Sequence, residues 1–471
     1  MKLPLSVRIK LLTDKDSFEQ FSPGIPSVYI AGAATMAGRR IFIFAMEHEP
    51  GPPVDMMKSL DIGIRAAEMA LEERCPLVML IDRPGLGHST GGKTPIPPDS
   101  SRLLADRRGT GRLYAALARL SGEAPRVSLI FGQTGAATVF PAALCDAAVM
   151  IRDSAVCIGR PDAVKHMVGE AADFEALGGA RMHCAVSGLG DALADSEQDA
   201  ISWARRYLAF FPANRGGRPP RIEPAPPEEP ACADGRLVPA DPDKPFDILP
   251  LIRRFADRNS MLELKELYAR EAVTALARVE GRAVGIVANN SKNKGGILFP
   301  ETCEKISRFI SICDAFGIPM LFLADNPGFI IGTAAERAGI IKSASLLFTT
   351  IANAQTPRLL IVARRAHTAG LYAMSGPGFD PAQFLALPTA AISVFGRRAL
   401  DRFSADRDMP PPAKAALKDM IEACSNPASL VDKALLDAVI PVSEMRPRIA
   451  AFLDMASTIP RPDIRKQVLL V

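Results

Sequence analysis

AGRRIFIFA at residues 37–45, leading through a helical stretch to CPLVMLIDRPGLG at 75–87, is a plan this chain uses twice. The second copy is EGRAVGIVA at 280–288, leading through another helix to IPMLFLADNPGFIIG at 318–332. Gly38-Arg39 corresponds to Gly281-Arg282 and Asp82 to Asp325, each at a spacing of 243 residues, so the register is kept between the two landmarks. Each half then adds another apolar run, RVSLIFG (126–132) and RLLIVAR (358–364). Short, continuously apolar strands alternating with helices predict α/β domains whose sheets are covered on both faces.

Working outward, the segment 214–245, NRGGRPPRIEPAPPEEPACADGRLVPADPDKP, is rich in proline and charge and reads as a linker. The expected organisation is therefore a first domain at 1–213, a linker at 214–245 and a second domain at 246–471. The 471 residues are enough for two sizeable cores. A net charge of +4 gives no reason to expect a nucleic-acid or membrane-surface partner. No apolar run reaches the roughly 18–20 residues of a membrane span. The first 21 residues carry charges throughout and lack the apolar core of a signal peptide, so a cytoplasmic location is expected. Eight scattered cysteines form no C-x-x-C pair and are expected to be buried small hydrophobes.

After the last apolar run of each half come small residues, Gln133-Thr134-Gly135-Ala136-Ala137 and Arg365-Ala366-His367-Thr368-Ala369-Gly370. A strand, a tight turn and small residues opening a helix present backbone N–H groups without intrahelical partners. Such donors suit a developing oxyanion, for example the enolate oxygen of a thioester. Close packing of helix on strand accounts for the same residues, and spacing alone leaves both readings open.

The second half resembles the carboxyltransferase β-subunits of propionyl-CoA and related acyl-CoA carboxylases. The resemblance rests on GIP-x-L-x-x-x-D-x-PGF-x-x-G-T (317–333), AGIIKSASLLF (338–348) and R-R-A-x-x-x-G (364–370). In the first half, GRPDAVKHMVGE (159–170) and FEALGGARMHCAVSG (174–188) match family segments, as does NPASLVDKALLDAVIP (426–441) near the end. The resemblance implies two crotonase-like (ClpP/crotonase superfamily) ββα-type domains. It also implies carboxyl transfer between carboxybiotin and the α-carbon of an acyl-CoA, with active sites shared between the subunits of a homodimer or of a larger assembly up to a hexamer. Biotin would be carried on a separate protein, and a biotin carboxylase and biotinyl carrier would act in trans. By position, the N-domain oxyanion hole falls at Ala136 and Ala137, with Gly85 as a second contributor, and the C-domain hole at Ala369 and Gly370. The acyl-pocket position falls at Tyr372, as a pocket wall or a proton donor.

Several residues depart from the family pattern. The loop DRPGLGHSTGGKTPIPPD (82–99) is longer and different after its aspartate, and Ala136-Ala137 stands where the family has Gly-Gly. A changed acyl group, altered chemistry, or a non-catalytic partner subunit would each account for these changes. A coenzyme A thioester decarboxylase remains the competing enzyme. Residues 87–94 fit the G-x-x-x-x-G-K-[ST] phosphate-loop pattern, but Pro95, Pro97 and Pro98 prevent the helix that pattern needs. Lys93 is then a contact for a coenzyme A phosphate or a solvated loop lysine. The arginines 102, 107, 108 and 112 read as a phosphate site or a solvated face. The five histidines are well separated, so no metal site is expected. His367, beside the C-domain hole, is a general acid–base candidate or a hydrogen-bonded structural histidine.

Overall fold

Each half is built on a hairpin. In the first, β1 (Glu19–Gln20) pairs antiparallel with β2 (Tyr29–Met36), which pairs antiparallel with β3 (Arg39–Met46). Ala37 and Gly38 make the β2–β3 turn with φ of 50° and 73°, the double positive φ of a type I′ turn. The computed structural model describes residues 2–46, 55–82, 100–135, 138–229, 237–241, 244–394, 409–461 and 464–470. From β3 the chain runs through the helix Met56–Glu72, capped by Asp55, to β4 (Leu77–Ile81). The helix turns Leu60, Ile64 and Ala67 inward, a one-face spacing that seats it on the sheet. Parallel strands β5 (Arg126–Ile130), β7 (Ala147–Ile151) and β9 (Ala192–Ala194) complete a seven-stranded sheet in the order β1-β2-β3-β4-β5-β7-β9. Beside it, β6 (Gln133–Gly135) and β8 (Ala155–Cys157) form a parallel pair.

The second half repeats this sheet. Strands β10 (Leu262–Leu264), β11 (Ala272–Val279), β12 (Arg282–Asn289), β13 (Met320–Asn326), β14 (Arg358–His367), β15 (Gln383–Ala386) and β17 (Ala438–Val439) follow one another in that order, with β16 (Ala391–Ser393) on β14. The spacing of 243 holds strand by strand: β11 and β12 begin and end 243 residues after β2 and β3. The pairing register is also shared, since Gly32 faces Ile43 as Ala275 faces Ile286, and Phe42 faces Leu77 as Gly285 faces Met320. Glu280 and Gly281 repeat the type I′ turn with φ of 50° and 75°. Even the anchor recurs: Asp14 accepts from the N–H groups of Ala37 and Gly38, and Asp257 from those of Glu280 and Gly281. The helix Pro300–Phe316 takes the place of Met56–Glu72 and stops at the left-handed Gly317.

By backbone contacts the chain divides into two units. One takes residues 1–218, 265–268 and 463–470; the other takes 219–264, 269–462 and 471. The core of the first centres on Phe42, Phe44, Ile64, Met79 and Leu117, and that of the second on Ile286, Leu321, Leu323, Ile361 and Phe452. The proline-rich residues around 219–229 belong to the second unit, where Ile222 N donates to Gly281 O and Pro227 bridges Asp257. Strands β4 and β13 are buried along their whole length, as expected of sheets covered on both faces. Among the described residues five cysteines are buried, at 145, 157, 184, 303 and 313; burial pushes the Cys184 and Cys303 thiols up to about 12, which keeps them inert. Among the described residues no helix is long and apolar enough to cross a membrane.

Candidate active site

At the end of β13, Asp325 is fully buried. It accepts from Arg364 Nη2 at 2.9 Å and from Arg365 Nε at 2.8 Å, both cations coming from the neighbouring strand β14. Burial would raise the Asp325 pKa, but the two guanidinium groups outweigh it and hold the carboxyl below its ordinary value. Arg364 in turn donates to the carbonyls of Asp241 and Lys244 and lies over the Phe246 ring. This network fixes the last turn of β14, from which the site emerges.

One residue past the strand, Thr368 has φ 51° and ψ −141°, a conformation costly for any residue with a Cβ. It reverses the chain into the short helix Ala369–Ala373. The N–H groups of Ala369 and Gly370 stand in the first helical turn, where no carbonyl four residues back can take them. Gly370 seats this turn on the end of β13. A Cβ there would come 2.0 Å from Asn326 Oδ1, and Asn326 Nδ2 donates to Gly370 O at 3.2 Å. Asn326 is held by Asn289 Oδ1 on one side and by Gly328 N on the other. Asn289 Nδ2, buried beneath, has no hydrogen-bond partner.

His367 is buried, with Ser393 Oγ 3.0 Å from its Nδ1. Burial, then the Arg365 charge, pushes its pKa down to about 4, so it is a neutral imidazole at pH 7. Tyr372 lies on the same short helix and is half exposed. The arrangement offers backbone donors on a rigid support beside an uncharged histidine. It can polarise a carbonyl oxygen.

In the first unit Asp82 holds the place of Asp325. It is buried against Arg8 Nη2 at 2.7 Å and Lys2 Nζ at 2.8 Å, so a buried, doubly paired carboxylate recurs with cations from a different element. The expected hole residues Ala136 and Ala137 lie outside the described residues, as do Gly85 and Lys93. On either side of the former, Thr138 Oγ1 donates to Gly135 O at 2.7 Å, and the helix Val139–Ala143 follows. His183 spans Ser187 Oγ and the Val156 carbonyl, a structural role. Arg108 pairs with Asp61 and Glu68, and Arg112 with Glu68, so these arginines are engaged by the protein's own carboxylates. Arg364, Arg365 and Asp325 were quoted from sequence only as motif and repeat positions, without their pairing, and Asn289 and Asn326 were not singled out. Their one visible signal was the polar pair Asp325-Asn326 closing an apolar strand.

Twin ββα sheets, the second followed by a turn of small residues into a short helix, define a crotonase-like fold. The chain belongs to the carboxyl transferase family: the model described as Carboxyl transferase domain matches residues 99–468. It is 37% identical over 465 residues to the uncharacterized carboxylase YngE of Bacillus subtilis, covering 95% of this chain and 89% of that protein. It is 30% identical to the propionyl-CoA carboxylase beta chain of Roseobacter denitrificans, covering 95% and 89%. Among solved structures, transcarboxylase 12S, described as a hexamer with methylmalonyl-coenzyme A and methylmalonic acid bound, superposes with a TM-score of 0.87 at 26% identity, covering 99% of this chain and 92% of that one. The crotonase-like fold and the carboxyltransferase class expected from sequence both hold.

Proposed function

We propose that this chain is the carboxyltransferase subunit of a biotin-dependent acyl-CoA carboxylase, working in the cytosol with a separate biotin carboxylase and biotinyl carrier. The observation that carries this reading is the Thr368–Gly370 turn, where a residue at positive φ and a glycine without room for a Cβ place two backbone N–H groups in the first turn of a short helix. Those donors fit a ureido oxygen: they are neutral, fixed before the reaction, and accompanied by no charged side chain of their own turn. Carboxybiotin supplies the carboxyl group when bound. Ala369 and Gly370 would hold its ureido oxygen, and a single such donor is worth about 3–4 kcal/mol to a transition state. Ala136 and Ala137, with Gly85, would do the same for the thioester carbonyl, so that negative charge gathering on that oxygen is stabilised. Lys93 would meet a coenzyme A phosphate and Tyr372 would wall the acyl pocket. His367, a neutral imidazole tied to Ser393, would support the turn.

The test is incubation of the purified chain with carboxybiotin or free biotin and a panel of acyl-CoA and malonyl-type thioesters. Carboxyl exchange that requires biotin is the expected result. Loss of CO2 without biotin would replace this reading with a decarboxylase. No thioester binding in calorimetry would remove both.

A further inference from the structure

Asn326 stands where a strand pairing slips. The parallel ladder of β13 and β14 is regular as far as Ala324, which lies opposite Val362, and its next pair is Asn326 with Ala366. Three residues of β14, Ala363, Arg364 and Arg365, therefore stand against Asp325 alone. Consecutive residues of a regular strand point to opposite faces. Here the slip lets two consecutive arginines reach one carboxylate. In return, the ladder no longer sets where the end of β14 points.

On one side that end is held by β16: Ala366 pairs with Ile392, His367 with Ser393, and Thr368 N donates to Ser393 O. On the side of β13 the contact is made by a side chain. The helix Ala369–Ala373 has five residues, too few to fix its own orientation. Asn326 is fully buried and its amide is used at every position. Nδ2 donates to Gly370 O and to Asn289 Oδ1, both at 3.2 Å, and Oδ1 accepts from Gly328 N at 2.9 Å. The Gly370 carbonyl can only accept and the Gly328 N–H can only donate, so the amide has one orientation. The same Oδ1 fills the space that a Cβ on Gly370 would need. A carboxylate of that size has no donors, and an apolar side chain has neither donors nor acceptor.

We propose that Asn326 is a positioning residue for carboxyl transfer, its amide setting the direction of the Ala369 and Gly370 N–H groups across the slipped pairing. The inference rests on the carboxyltransferase reading above, in which those two groups hold the ureido oxygen. Donors fixed in advance act on the transition state, and a misplacement of about 1 Å costs on the order of 100-fold in rate. Asn326 therefore affects turnover and leaves thioester binding alone.

The test is steady-state carboxyl exchange between methylmalonyl-CoA and free biotin by the full chain, with a thermal melt of every variant. Asn326→Asp keeps the size and the acceptor for Gly328 but loses both donors. It should lower kcat by about tenfold or more and leave KM for the thioester within about twofold. Asn326→Ala should do the same. Adding Gly370→Ala to it should cost less than about threefold further, because the anchor is already lost and the clash is relieved. Gly281→Ala, which destabilises the same unit from the other end of β12, should leave kcat within about twofold. A raised KM with unchanged kcat would overturn the proposal. So would additive losses in the double variant, or losses in the Asn326 variants no larger than that in Gly281→Ala. If Asn326→Asp does not fold, the Asn326→Ala and Gly370→Ala cycle decides. A wild type without exchange fails the carboxyltransferase reading itself. A wild type that exchanges, with kcat intact in folded Asn326 variants, fails only the role of Asn326.

Discussion

Gly370 has no space for a methyl group, because Asn326 Oδ1 would lie 2.0 Å from it. Gly370→Ala must lift the short helix off β13, at a cost of about 1–3 kcal/mol. It should also move both first-turn donors, so carboxyl exchange should drop by at least tenfold while the melting temperature falls by a few degrees. An unchanged exchange rate would remove this turn from the chemistry. His367 makes a second prediction. Folded, it takes a proton near pH 4; unfolded, near 6.5. The unfolded chain therefore binds more protons between those values, and stability falls as the pH drops through that window, by on the order of 3 kcal/mol in all. His367→Gln should flatten that part of the stability–pH curve, as measured by urea denaturation at a series of pH values. Ala369 and Gly370 were legible as small residues after an apolar strand. The neutrality of His367 was not, because it depends on burial against β16, whose Ser393 is 26 residues further on.

At the scale of elements, the two type I′ turns are the same object in different surroundings. Around Gly38 a Cβ would meet nothing, whereas at Gly281 it would lie 2.0 Å from the carbonyl oxygen of Ile222. Both have positive φ, so Gly38→Ala should cost about 1 kcal/mol from backbone strain alone. Gly281→Ala should cost about 1–3 kcal/mol more, because Ile222 must also shift. Thermal melts of the two variants check the order; equal losses would contradict the close approach at Ile222. The strands and their register were readable from Gly38, Gly281, Asp82 and Asp325, because continuous apolar runs and a fixed spacing leave few alternatives. Asp14 and Asp257 were not readable as anchors. A single aspartate in a charged stretch shows no period, and its meaning comes only from the turn it reaches.

For the whole molecule, each unit leaves apolar side chains largely exposed: Ile158, Met167, Val168 and Val186 in one, Ile331, Ile341 and Val394 in the other. Large exposed apolar side chains are what an association surface would cover. The purified chain should therefore sediment as a homodimer or a larger assembly, and Met167→Asp or Ile331→Asp should shift it toward smaller species. A monomeric wild type would end that expectation. Composition and the repeat announced two α/β halves. They did not announce that residues 265–268 and 463–470 pack within the first unit, since short excursions carry no hydrophobic period of their own.

The shared numbering of the halves has a historical meaning. From Asp14 to Asp82, and from Asp257 to Asp325, the two copies have the same length, although few side chains still agree and the helix within stands 244 residues on. Past the aspartate the spacing drops to 232, as the strand starts Arg126 and Arg358 show. A duplicated ancestor would leave this record if selection tolerated any substitution in the framework but no insertion, and released length only where the chain turns toward its ligands. The hairpin, helix and parallel strand are then an inherited chassis, and the segments beyond Asp82 and Asp325 are the parts in which the two copies were free to specialise.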